Sequence, residues 1–343
     1  MKSIAIIFRT LFLLTALTAP AFADIEVRVS VKFVRNFDGT LPTNAGNIDL
    51  HDSTAFQAEI DYGNTVLNAT GRGYRLRVVE YLNIQPAAPA GQPANYWYML
   101  PARSNRQVIE SASIASPGVW QRNANGALNI YVNNSSSGSC SFVGSGDSIA
   151  LGSTIFTRGT VVHEIGHFFN LSHTHGSDPD CSTFVPPNPL SNGLSNGDGL
   201  SETIPDHPCY TRDQLSMANF GVNFAALNAS QQAAVNTSWL NVMSYHSESQ
   251  LLEIQMDNWA VIGNNQRHSV CSGYTWFVAT DGFDPFRTGL TPGQAFETPG
   301  WALVHVSSPD DVVLLRTGTY IAPAEITTPC TLAASYGPVT LQR

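Results

Sequence analysis

The stretch that decides the fold is His163-Glu164-Ile165-Gly166-His167-Phe168-Phe169-Asn170-Leu171-Ser172-His173. Residues four apart lie on one face of a helix, so His163 and His167 can reach the same metal ion. Asn170 tolerates the left-handed backbone that ends a helix, and a sharp turn there can return His173 to that ion. The spacing therefore predicts a three-histidine metal site on a short helix, with Glu164 beside it.

Zinc is the metal that suits this ligand set, because it binds neutral imidazole nitrogens and is often held by three of them. Three protein ligands leave one position open for water, which is typical of a catalytic site rather than a structural one. Glu164 is placed to take a proton from water and to pass it to a leaving amine. The stretch predicts a zinc-dependent peptidase.

The remaining histidines are interpreted conservatively. A histidine pair four residues apart also occurs by chance in helices, where both rings are solvated or packed. His175 is expected to lie on a loop surface rather than to bind the metal. The others have no partner pattern and are assigned structural roles: His51, His207, His246, His268 and His305.

The histidine stretch resembles the long zinc motif of the metzincin peptidases, HExxHxxGxxH, with Asn170 in place of the usual glycine. Metzincins also have a methionine-containing turn beneath the metal, and Asn241-Val242-Met243-Ser244-Tyr245 resembles it. The resemblance implies that Met243 forms the apolar floor under the histidines. It also implies that the phenol of Tyr245 lies near the metal, where it binds the oxyanion or ligates zinc in the resting state.

Among metzincins, the chain is most similar to the pappalysin-type family over about residues 25–263. Gly197-Asp198-Gly199-Leu200-Ser201-Glu202-Thr203 resembles the G-D-x-x-x-D-T-P stretch of that family, with Glu202 replacing an aspartate and Ile204 preceding Pro205. The family's loop can hold calcium. The resemblance therefore implies a calcium site with oxygen ligands from Asp198, Glu202 and Asp206.

Composition and charge narrow the class of protein. The chain has 343 residues, 43% hydrophobic and 13% charged, which suits one large or two smaller globular domains. The net charge is −9, so the electrostatic footprint of a nucleic-acid-binding protein is absent. No segment after the first residues is apolar enough to predict a membrane span.

The first 23 residues predict a cleaved export signal. Lys2 and Arg9 are basic, an apolar run from Leu11 to Leu17 follows, and Ala21-Phe22-Ala23 is an A-x-A cleavage site. The mature protein is expected to be secreted or periplasmic. In an oxidising compartment cysteines are expected to pair, and the candidate bridges are Cys181–Cys209 and Cys271–Cys330, with Cys140 left over.

Two parts follow the predicted signal. Strands alternating with helices over 24–264 predict a mixed α/β (α+β) domain, a twisted sheet of the metzincin kind with an active-site helix beginning near Thr157. Short β-type runs over 265–343, including 303–306, predict a small all-β module. This module resembles the opening coil of a right-handed parallel β-helix of the pectate-lyase-like kind. The segments that carry this resemblance are 284–288, 310–320, 329–332 and 337–341.

The leading hypothesis is an exported endopeptidase whose peptide or protein substrate binds in extended form along an edge strand, expected between Cys140 and Leu151. The alternative is a secreted binding or adhesion protein with a non-catalytic zinc site. Oligomeric state and cleavage specificity are left open.

Overall fold

The computed structural model describes most of the chain. The described residues are 25–43, 48–70, 74–123, 127–135, 139–140, 148–155, 158–175, 197–246, 250–252, 255, 274–307, 309, 311–323 and 325–342. The predicted export signal, Cys181 and Cys271 lie outside them.

A five-stranded mixed sheet forms the centre of the fold. In sheet order its strands are β3 (Tyr74–Ile84), β1 (Ile25–Val34), β4 (Leu128–Asn133), β6 (Ser148–Gly152) and β5 (Ser139–Cys140). The first four are parallel, whereas β5 runs antiparallel to β6 and lies at the edge. Two short strands, β2 (Ile48–Asp49) and β7 (Thr154–Ile155), form a separate antiparallel pair. This architecture confirms the predicted mixed α/β fold.

Helices cover both faces of the sheet. They are α1 (Ser53–Ala69), α2 (Tyr96–Met99), α3 (Ala102–Ala115) and α4 (Thr160–Phe168). The side chains of β1 alternate, so that Val27, Val29 and Val31 pack with α1 and α4 in one apolar core. On the opposite face, Tyr131 packs with Ile109 of α3. The site helix α4 therefore packs on one face of the sheet, near the edge formed by β5.

The site helix α4 begins at Thr160, three residues later than predicted from Thr157. Gly159 precedes it with a φ of 98°, a left-handed conformation that only glycine adopts readily. That backbone geometry prevents the helix from extending further towards its N-terminus. The motif histidines are unaffected, since both lie within the helix.

Two further helices, α5 (Arg212–Phe220) and α6 (Ala229–Trp239), follow later in the chain. Each begins with a reciprocal capping box, Thr211 with Gln214 and Asn228 with Gln231, which satisfies the free amides of the first turn. The two helices pack against each other through a small apolar cluster of their own. Among the described residues, no helix has the length and apolar character required to cross a bilayer.

The C-terminal part contains a three-stranded parallel sheet, in the order β10 (Thr331–Gln342), β9 (Val312–Ile321) and β8 (Thr275–Val278). The strand predicted at 303–306 is wrong, because this segment ends helix α7 (Pro299–His305). Thr298 accepts a hydrogen bond from the amide of Trp301, and Pro299 at the first position favours a helix start. The resemblance to a β-helix coil remains a prediction.

Apolar side chains from both parts of the chain join one core. Phe277, Val312 and Leu314 of the C-terminal sheet belong to the same buried cluster as Val27 and Ile165. The C-terminal strands are therefore packed through a shared core with the larger sheet. Whether a domain boundary lies at residue 265 remains a prediction.

The cysteines depart in part from the predicted pairing. Cys209 is disulfide-bonded, and its predicted partner Cys181 lies outside the described residues. Cys330 is a free thiol, so the predicted Cys271–Cys330 bridge is not formed. Cys330 packs instead against the apolar cluster of the C-terminal sheet, and burial raises the pKa of its thiol.

Candidate functional site

Three histidine side chains converge at the end of α4. Their ligand atoms all lie within 4.8 Å of one another, and the structure brings together His163, His167 and His173 as the sequence predicts. The Nε2 atom of His173 lies 3.2 Å from Nε2 of His163 and 2.9 Å from Nε2 of His167. Among the described residues, no other group of three His, Cys, Asp or Glu side chains is placed to hold a metal ion.

The hydrogen bonds of the Nδ1 atoms determine the tautomers of His163 and His167. Nδ1 of His163 lies 2.6 Å from the carbonyl oxygen of Val242, and Nδ1 of His167 lies 2.7 Å from that of Leu171. A carbonyl oxygen only accepts hydrogen bonds, so both Nδ1 atoms carry the proton. Each Nε2 therefore presents a lone pair towards the centre of the cluster, which is the form that binds a metal.

A cation fits this arrangement better than a hydrogen-bonded cluster does. The neutral His173 ring can place at most one proton at Nε2, so it can donate to only one of the two neighbouring lone pairs. The other close nitrogen pair would remain lone pair against lone pair. Burial, and next the electrostatic effect of the neighbouring His167 ring, lower the pKa of His163 to about 3, which keeps its imidazole neutral. Zinc prefers this donor set of neutral imidazoles.

The turn at Asn170 brings the third histidine to the site. Asn170 has a φ of 65°, the left-handed conformation that the sequence predicts at this position. The amide of Leu171 donates to the carbonyl of Gly166 (2.9 Å), which closes the turn and sends the chain back along the helix. Asparagine therefore provides the reversal for which the metzincin pattern uses glycine.

Met243 is fully buried under the helix, next to Gly166. A Cβ added at Gly166 would lie 2.6 Å from Sδ of Met243, so the absence of a side chain there lets the methionine approach the ligand helix. Val242, in the same turn, supplies the carbonyl that orients His163. The predicted methionine turn thus contacts His163 through the backbone carbonyl of Val242, and the side chain of Met243 lies against the helix at Gly166.

Two polar side chains accompany the ligands. Glu164 is 5% exposed and lies on α4 between His163 and His167. Tyr245 is 38% exposed, and its ring centroid lies 4.8 Å from that of His173 and 5.8 Å from that of His163. The candidate site therefore combines three histidines that could hold a metal ion with a partly exposed phenol, and Glu164 belongs to the helix that carries two of these histidines.

A buried carboxylate anchors the start of the site helix. Glu59 of α1 accepts a hydrogen bond from the amide of Gly159 (3.2 Å), the residue before α4. An acceptor at this position satisfies one of the free amides of the first helical turn. Burial raises the pKa of Glu59 above its ordinary value of 4.5, against the opposing effects of the Gly159 amide and of Arg158.

This raised pKa predicts a pH-dependent stability difference. The contribution of protonated Glu59 to the stability of the fold is fully present below pH 4.5, and it is lost as pH rises through the higher folded-state pKa. Glu59→Gln keeps an acceptor for Gly159 but cannot ionise. We expect the melting temperature of Glu59→Gln minus that of the unmodified protein to be larger at pH 7 than at pH 4.5. Thermal unfolding of the metal-free proteins at both pH values tests this, and a constant difference would contradict it.

The structure corrects the interpretation of His175. Its side chain is buried, not on a loop surface, and its ring stacks on that of His173 at a centroid distance of 4.6 Å. A Cβ at Gly197 would lie 1.7 Å from the carbonyl oxygen of His175, so the absence of a side chain lets Gly197 pack directly against the backbone that follows His173. The only sequence signal for this placement of His175 was its position two residues after His173.

The predicted calcium ligands serve other contacts. Asp198 accepts hydrogen bonds from the amide of Leu200 and the hydroxyl of Thr203, and burial raises its pKa. Glu202 accepts from the hydroxyl of Ser201. The three predicted residues form no ligand group among the described residues, so calcium binding is not supported.

Asp206 has a different environment from the predicted one. Its carboxylate is fully buried and lies 3.0 Å from Nε2 of His246, 3.0 Å from the hydroxyl of Thr174 and 2.7 Å from the amide of His207. Burial acts to raise the pKa of Asp206, but these hydrogen bonds outweigh it and hold the pKa below its ordinary value. Sequence reasoning missed this role of Asp206 and His246, because nothing in their spacing links them.

Comparisons with known proteins return only distant similarity. No protein-family model and no curated protein matches the chain. One similar solved structure is mirolysin in complex with compound 9, with a TM-score of 0.40 and 13% identity over 71% of this chain and 93% of that one. Another is a chaperone–substrate complex, with a TM-score of 0.28 and 12% identity over 65% of this chain and 35% of that one. At these scores neither similarity carries an argument about function.

Proposed function

We propose that the chain is a zinc-dependent endopeptidase of the metzincin type, most similar to the pappalysin-type family. One observation carries this proposal. Three imidazole nitrogens converge, and at least two of them present lone pairs because backbone carbonyls hold the opposite nitrogens protonated. His163, His167 and His173 would hold the ion. Three protein ligands and an adjacent carboxylate favour a catalytic site over a structural one.

When bound, zinc supplies the Lewis acid that polarises a scissile carbonyl and makes water more acidic. Glu164 takes the proton of the attacking water and transfers it to the leaving amine, because it lies in the same helical turn as two ligands. The phenol of Tyr245 donates a hydrogen bond to the developing oxyanion from the exposed side of the site. The carbonyls of Val242 and Leu171 keep both helical imidazoles oriented throughout.

The substrate is a peptide or protein bound in extended form. The edge strand β5 lies antiparallel to β6, at the border of the sheet next to the site helix. An edge strand offers unpaired backbone groups to which an extended peptide can add as another strand. We propose export to the periplasm or the exterior after cleavage behind Ala23, on the strength of the leader sequence.

Removal of the metal tests the proposal directly. We expect the mature chain to cleave an unfolded protein substrate, to lose this activity with a zinc chelator, and to regain it when zinc is restored. Glu164→Ala should remain inactive under all three conditions. Cleavage that persists unchanged in chelator or in Glu164→Ala would refute the mechanism. Zinc binding without cleavage would instead support the alternative, a secreted binding protein with a non-catalytic site.

A further inference from the structure

Given the proposed function, we infer that Asp206 is a positioning residue that holds His173 and Tyr245 in a fixed relation to each other. Its carboxylate joins two segments that are distant in sequence, one following the third histidine and the other following the methionine turn. The hydroxyl of Thr174 donates to one carboxylate oxygen and Nε2 of His246 donates to the other.

Both residues that bond to Asp206 are sequence neighbours of site residues. Thr174 directly follows His173, and its amide also donates to the carbonyl of Met243 (3.1 Å). His246 directly follows Tyr245, and its ring stacks on Trp239 at a centroid distance of 4.0 Å. The carboxylate therefore links the backbone that carries the third ligand to the backbone that carries the phenol.

Burial makes the linkage strong and specific. The side chains of Asp206 and His246 are 0% and 3% exposed, so water does not compete for their hydrogen bond. A carboxylate oxygen bonded to a ring nitrogen is a charge-assisted acceptor, which is stronger than a neutral one. Tyr245 is itself partly exposed, so the buried bond of its neighbour adds a restraint to the contacts of its ring with His173 and His163.

Asp206→Asn is the variant that tests the inference, because it keeps the shape of the side chain but removes its charge and one acceptor. We expect kcat per bound zinc to fall about 10-fold or more with KM nearly unchanged, and zinc affinity to fall about 10-fold. In a Tyr245→Phe background the same substitution should lower kcat by less than about two-fold, since the positioned phenol is already absent. Competition with a chromogenic chelator measures the zinc affinity.

Ser238→Ala is the matched control. Ser238 is fully buried and its hydroxyl donates to the carbonyl of Ile204 (3.0 Å), two residues before Asp206, so it holds the same segment without a hydrogen bond to Thr174 or His246. This variant should lower the melting temperature but leave kcat per zinc and zinc affinity unchanged. An equal loss of kcat in Ser238→Ala and Asp206→Asn would overturn the inference, since general loosening of the segment around Asp206 would then explain both.

Two further variants separate the arms of the linkage if Asp206→Asn does not fold. Thr174→Val should weaken zinc binding, whereas His246→Phe, which keeps the stacking on Trp239, should lower kcat. Unchanged zinc affinity in the first and unchanged kcat in the second would overturn the inference while the unmodified protein stays active. An unmodified protein that neither binds zinc nor cleaves substrate would overturn the proposed function itself.

Discussion

We expect replacement of Glu164 with glutamine to lower kcat by about 10³-fold, the scale of loss that follows removal of a general base, and to leave zinc bound. Glutamine has nearly the same shape but cannot accept the proton of the attacking water. The three ligands and their hydrogen bonds to Val242 and Leu171 do not involve Glu164, so metal affinity is expected to change little. Steady-state kinetics on a quenched peptide substrate, with zinc content measured on the same samples, tests both parts.

Glu202→Gln is the control for this substitution. Glu202 is an exposed carboxylate of the neighbouring loop, and its replacement makes the same change of charge without touching the histidines. We expect its kcat to lie within about two-fold of the unmodified protein, as for surface substitutions in general. A similar loss in both variants would show that net charge, and not proton transfer, sets the rate.

We expect replacement of His163 with alanine to abolish stoichiometric zinc binding and activity together. Only two of the three convergent nitrogens remain, and the carbonyl of Val242 loses its partner. The loss of affinity should exceed the 10–100-fold that removal of an outer hydrogen-bond partner of a metal ligand typically costs. Addition of zinc should raise the melting temperature of the unmodified protein but not that of the variant, because binding stabilises only a folded state that contains the site.

His51→Ala serves as the control histidine. His51 is partly exposed and pairs with Asp52. It lies before α1, far in the sequence from the three convergent histidines. It should bind zinc and show the same zinc-dependent rise in melting temperature as the unmodified protein. Retention of full zinc binding by His163→Ala would rule out the three-histidine site.

The ligand cluster was predictable because local geometry determines most of it. The four-residue spacing of His163 and His167 places both on one helical face, and Asn170 permits the turn that returns His173. The mixed α/β class followed from alternating strand and helix patterns. Met243 and Tyr245 were identified only through resemblance to a family motif, since no spacing rule connects them with residues some 80 positions earlier.

Other features depend on contacts that no local pattern reveals. Most of the strand expected at 303–306 is part of a helix, because the cap at Thr298 and the proline after it outweigh the β preference of Val304. Cys330 lies in an apolar cluster rather than in a disulfide bond.

By itself, the sequence determined the ligand helix, its terminating turn and the identity of the candidate base, because each depends on backbone geometry within a dozen residues. Only the tertiary structure decided that His175 is buried against His173, and that Asp206 joins Thr174 to His246. The two contacts of Asp206 connect residues 32 and 40 positions apart in the chain. Their partners are selected by packing and by the need to satisfy buried polar groups, which only the folded chain specifies.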